Sequence, residues 1–130
     1  MFSKNAKTIA IDFDGTIVKD AYPKIGKPLP FSFETLKKLQ EKGNRLILWT
    51  YRNGKKLDEA IEFCNKNGIT FYAINKSYPE EEFDETISRK IHADIFIDDR
   101  NFGKNPDWLE IHNYFFNKKP KPKKKGWFGF

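Results

Sequence analysis

The chain has 130 residues, long enough to bury one core and too short for a catalytic domain plus a second folded one. Its 13 Phe, 5 Tyr and 3 Trp exclude a wholly disordered chain, and no apolar run approaches the roughly 20 residues of a membrane helix. The net charge of +6 is confined to residues 118–130, which hold six lysines and no acid, so the remaining 18 basic and 18 acidic groups leave a neutral body.

The first apolar run, Thr8-Ile9-Ala10-Ile11, is rich in β-branched residues and ends in Asp12-Phe13-Asp14-Gly15-Thr16, which reads as a buried strand entering a tight loop. Residues 17–31 contain Pro23, Gly26, Pro28 and Pro30 and are expected to form a loop. Ser32 is placed as the N-cap of a helix reaching Lys42, with Phe33, Leu36 and Leu39 on one side and Gly43 closing it. A second strand over 45–50 lacks clean alternation, as expected of a strand buried on both faces. Leu57, Ala60, Ile61 and Cys64 then mark one face of a helix over 54–67, with Asn53 at the N-cap position.

Residues 69–74 read as a third strand, 75–83 as a polar loop and 84–90 as a short helix. The fourth strand, 93–97, stops at Asp98-Asp99, and Pro106 opens a helix over 107–116 striped by Trp108, Ile111 and Phe115. Strands alternating with helices over short connections imply an α/β fold with a parallel sheet, and ligands bind where such strands end. Polar residues gather at those exits: Asp12 and Asp14 after strand one, Thr50 after strand two, Asp98 and Asp99 after strand four.

Carboxylates delivered to one rim repel unless a cation sits among them, and hard oxygen ligands suit Mg²⁺. This ordered set resembles the haloacid dehalogenase (HAD) superfamily of Mg²⁺-dependent phosphotransferases. Asp12-Phe13-Asp14-Gly15-Thr16 matches its first motif, Thr50 the second, Lys90 the third and Asp98-Asp99 the fourth. The run from Tyr22 through Arg100 also looks like a group of small bacterial and phage-type members. The resemblance implies a three-layer Rossmann-like core with strand one central between strands two and four, and no cap domain, since residues 17–31 and 75–83 are too short to fold separately.

It further implies that Asp12 is a nucleophile forming an aspartyl-phosphate and that Asp14 acts as acid and then base. Thr50 and Lys90 would bind the phosphoryl oxygens, with Lys76 and Arg89 as rivals to Lys90. Mg²⁺ would be held by Asp12, the Asp14 backbone carbonyl, Asp98 and Asp99, the last directly or through an intermediary. Gly15 would admit backbone N–H groups to the phosphate, with Thr16, Arg52 and Asn53 as further candidate substrate contacts. An anionic nucleophile attacking a phosphomonoester needs such positive charge and fixed donors.

The expected protein is thus a cytoplasmic phosphomonoester hydrolase with an open site, acting on a nucleotide or a nucleic-acid end. Tyr22, Tyr78 and Trp108 would form a partial lid, or a second copy of the chain would cover the site. Two segments are expected: a catalytic domain over 1–117 and a disordered Lys/Pro-rich tail over 118–130. The tail either tethers the protein to nucleic acid or an anionic surface or only solubilises it. The competing expectation is a tethered binding module with weak or lost catalysis.

Overall fold

The computed structural model describes residues 2–103 and 105–117; the expected tail, 118–130, lies outside them. Four strands form a parallel sheet in the order β5–β4–β1–β6: β1 (Thr8–Ile11), β4 (Arg45–Leu48), β5 (Ala73–Ile74) and β6 (Ile95–Ile97). The first strand therefore lies between the second and fourth of the sequence reading. Ile9 faces Leu46 on one side and Ile95 on the other, so β1 is buried through the middle of the sheet.

Alternation along the strands divides the core. Ile9, Ile11, Leu46, Leu48 and Ile97 face α1 (Ser32–Glu41), α2 (Gly54–Lys66) and α3 (Trp108–Phe116), meeting Leu36, Leu39, Ala60, Cys64 and Trp108. Burial pushes the Cys64 thiol up to about 12, which suits a residue used for packing. On the opposite face Ala10, Ile47 and Ala73 meet Ile91, with Trp49, Tyr72 and Ala93 around them.

The expected third layer is missing among the described residues, because residues 84–90 form turns rather than a helix. Bonds flanking that segment hold an irregular path: the Ser77 amide donates to Glu81 Oε1 and the His92 amide to Ser77 Oγ. Ile91 is thereby tucked under the sheet. The third strand is also shorter than expected, since the Ile69 amide closes the end of α2 on the Cys64 carbonyl and only Ala73 and Ile74 pair with β4.

Residues 17–31 are not a plain loop. They contain an antiparallel hairpin, β2 (Val18–Ala21) and β3 (Lys24–Pro28). A Cβ on Gly26 would lie 2.0 Å from the Lys19 carbonyl oxygen, so the glycine permits the close approach of the two strands. Ser32 is the first helical residue rather than the cap. Phe31 takes the cap position with φ 67, while Ser32 Oγ donates to the Ile17 carbonyl and ties α1 to the first loop.

Candidate functional site

All four parallel strands exit at one rim, and their next residues form its floor: Asp12, Trp49, Asn75 and Asp98. A cavity of about 770 Å³ opens there, with Asp12, Asp14, Thr50, Asn53, Asp98 and Asp99 in its wall. Asp12, Asp98 and Asp99 each offer a carboxylate oxygen within 4.8 Å of the other two. Burial, a hydrogen bond with Asp99 and the charge of Asp98 push the Asp12 carboxyl up from its ordinary 3.8 to about 7, against the opposing pull of the Thr16 hydroxyl. Three half-buried acids held this close fit a hard divalent cation, whose charge would relieve the repulsion that disfavours ionised Asp12.

The turn after β1 is built for this crowding. Gly15 has φ +87, and a Cβ there would stand 2.3 Å from Asp99 Oδ2, so the missing side chain is the space in which the Asp99 carboxylate sits. Its own amide donates to the Val18 carbonyl and is not free for a phosphate. The Phe13 and Asp14 amides have no such partner among the described residues. Thr16 is likewise no substrate contact: it is fully buried, its hydroxyl donates to Asp12 Oδ2 at 3.0 Å, and its carbonyl accepts from Trp108 Nε1 at 2.7 Å. Trp108 is thereby an internal strut and not part of a lid.

Gly15→Ala tests this packing. The added methyl displaces Asp99 and strains a left-handed residue, a destabilisation of roughly 1–3 kcal/mol. Thermal unfolding followed by circular dichroism should show a melting temperature lower by at least about 4 °C, and an unchanged value would contradict the packing.

Arg52 departs furthest from expectation. Instead of reaching substrate it is buried, with Nε and Nη2 forming a two-pronged pair with Asp14 at 2.8 Å each. Its remaining donors go to the carbonyls of Pro23, Lys24 and Lys56, and its guanidinium lies against the rings of Phe13 and Tyr22. Asp14 raises the Arg52 pKa further above its ordinary value. The Asp14 carboxylate thus points at Arg52 and stands outside the three-acid cluster, leaving only its backbone carbonyl for the role the sequence reading gave it near a metal.

Thr50 is fixed from two sides: its amide donates to Asn75 Oδ1 at 2.8 Å, and its Oγ1 accepts from the Arg52 amide at 3.1 Å. The Thr50 hydroxyl proton remains available for an anion. Asn53 caps α2 by position without a side-chain bond. Lys90 is exposed and outside the cavity wall, whereas Arg89 lines it, with its guanidinium stacked 3.8 Å from the Phe83 ring centroid. Lys76 and Tyr78 are also absent from the wall, while Tyr22 is in it. The sequence reading did not single out Tyr51, Asn75 or Arg100 as wall residues; their only available signal was adjacency to a strand exit.

Fold and rim together define an α/β protein with a four-stranded parallel sheet and an acidic cluster at the C-terminal strand ends. No protein-family model and no curated protein matches the chain. A solved structure of a conserved protein from Bacteroides thetaiotaomicron, known by its coding locus, shares 57% identity. That match covers 89% of this chain and 94% of the other, with a TM-score of 0.80, and the chain belongs to the family of that conserved protein. Among the described residues no helix is long and apolar enough to cross a membrane.

Proposed function

We propose that the protein is a Mg²⁺-dependent phosphomonoester hydrolase, a capless member of the HAD superfamily working through an aspartyl-phosphate on Asp12. The observation that carries this reading is the gathering of Asp12, Asp98 and Asp99 oxygens within 4.8 Å at a strand rim that also presents Thr50. Asp12, Asp98 and Asp99 would hold the cation, which supplies positive charge against the phosphoryl oxygens.

Asp12 attacks phosphorus as the bond to the leaving oxygen breaks, and Asp14, having taken up a proton from solvent as the substrate binds, delivers it to that oxygen. Asp14 then takes a proton from water as the water attacks the same phosphorus, releasing phosphate and restoring the Asp12 carboxylate. Arg52 fixes the plane of Asp14 through both oxygens, leaving each oxygen a further lone pair for proton transfer. The Thr50 hydroxyl and the free Phe13 and Asp14 amides donate to the non-bridging oxygens, and Arg89 stands in the place expected of Lys90.

The direct test is phosphate release from a panel of phosphomonoesters with Mg²⁺ and with chelator. Chelator-sensitive turnover is expected, and no turnover on any member would remove the reading.

Protonation and metal binding should also be linked. The Asp12 carboxyl holds its proton more tightly folded than unfolded, so its contribution to stability is present below pH 4 and is lost as pH rises to about 7. Ionised Asp12 is the form a cation binds. Mg²⁺ should therefore raise the melting temperature by several degrees at pH 8 and hardly at pH 5, as followed by circular dichroism. Equal Mg²⁺ shifts at the two pH values would contradict this linkage.

A further inference from the structure

The cavity is much larger than one phosphoryl group requires, at about 770 Å³ the size of a site for a whole organic ligand. The half-buried Asp12, Asp98, Asp99 and Thr50, with the exposed Arg89, are accounted for by the phosphoryl group. The outer wall is of another character. Tyr51, next to Thr50, is 98% exposed and has no ring or hydrogen-bond partner among the described residues. Tyr22, at the turn of the β2–β3 hairpin, is 58% exposed, with one ring face held 5.1 Å from the Arg52 guanidinium. Arg100 enters the wall directly after the Asp98-Asp99 pair and makes no ion pair among the described residues, while its amide donates to Asp98 Oδ1 at 2.9 Å.

The wall's acceptors are only partly free for sugar hydroxyls. Asp14 is held by Arg52, Asp20 accepts the Tyr22 amide, and Asn75 accepts the Thr50 amide. Beside them the wall presents the exposed Tyr51 ring, the outer face of Tyr22, the Asn53 amide and the Arg100 guanidinium. Aromatic rings stack on nucleobases whatever their identity, an amide pairs with a base edge, and a guanidinium takes a phosphate through two parallel bonds.

We propose that this outer wall is a base-stacking subsite, and that the ligand is a nucleotide bearing a second phosphate, the base on Tyr51 and Tyr22 and the second phosphate on Arg100. This rests on the phosphomonoesterase reading for the first phosphate. The same chemistry is presented by a free nucleoside bisphosphate and by the phosphorylated end of an oligonucleotide.

The test compares kcat/KM and calorimetric binding, with Mg²⁺, for adenosine 3′,5′-bisphosphate, AMP, a 5′-phosphorylated trideoxynucleotide and glycerol 3-phosphate. The wild-type protein should favour the bisphosphate over glycerol 3-phosphate by at least about 100-fold, from one stacked base and one added ion pair. Tyr51→Ala should cut the nucleotide-over-glycerol preference roughly tenfold. Arg100→Gln should cut the bisphosphate-over-AMP preference by a similar factor. A trideoxynucleotide that outperforms the bisphosphate assigns the site to nucleic-acid ends, and the reverse assigns it to free nucleotides; both support the subsite.

Equal turnover of glycerol 3-phosphate and nucleotides, or a preference that Tyr51→Ala leaves intact, overturns the subsite while phosphatase activity stands. Tyr51-dependent binding of the bisphosphate without phosphate release from any compound upholds the subsite and removes the phosphatase reading. Neither binding nor release removes both.

Discussion

Asp12→Asn is expected to lower Mg²⁺-dependent phosphate release by at least about 10³-fold, the scale on which loss of a covalent nucleophile acts. The substitution is nearly isosteric, and the amide oxygen can still accept from the Thr16 hydroxyl, so the turn should keep its shape. On the proposed mechanism, what disappears is a charge that would serve twice, as the attacking oxygen and as one of three cation ligands. The two losses separate experimentally. Calorimetry reports the weakened Mg²⁺ binding, while acid-quenched labelling with radioactive phosphate reports whether any phosphoenzyme forms. The variant should also be more stable than wild type at pH 8 without metal, because it no longer carries the ionised carboxylate that burial and its acidic neighbours disfavour. Release persisting within tenfold of wild type would rule Asp12 out as nucleophile.

The largest stability loss is expected from Arg52→Met. Removing the guanidinium leaves the Asp14 carboxylate without its partner and strips donors from the carbonyls of Pro23, Lys24 and Lys56. Breaking one side of a buried pair costs about 3–5 kcal/mol, which in a domain of this size lowers the melting temperature by roughly 10–20 °C. The double variant Arg52→Met, Asp14→Leu should recover part of that loss, because no charge is then left unpaired. A fall of only two or three degrees in the single variant would show that Arg52 does not anchor the hairpin and Asp14 as described.

The rim was legible because each marker was local. An apolar strand that stops at a carboxylate or hydroxyl announces its exit without help from the rest of the chain, as at Ile11-Asp12, Trp49-Thr50 and Ile97-Asp98. The features that escaped depend on partners far along the chain. Arg52 looked like a substrate contact from its place after the second strand; only its meeting with Asp14, 38 residues away, makes it an internal anchor. Gly26 looked like a helix breaker in a loop, and its need to pass the Lys19 carbonyl exists only once the hairpin has formed.

In residues 84–90 short side chains capture the backbone in place of a helix: Asp84 Oδ1 accepts from the Thr86 amide and hydroxyl and Ser88 Oγ from the Lys90 amide, and Lys90 lies outside the cavity while Arg89 lines it. Lys90 was the motif position with the weakest sequence support, lacking a strand end to fix it.

Because every parallel strand points its finish the same way, the acidic rim and the turns that lead into the strands occupy opposite poles of the sheet. The reversals at residues 42–44 and 67–70 feed strand beginnings and lie a full strand length from the acids. Labels and surface attachment placed at that pole stay a strand's length away from the acidic rim.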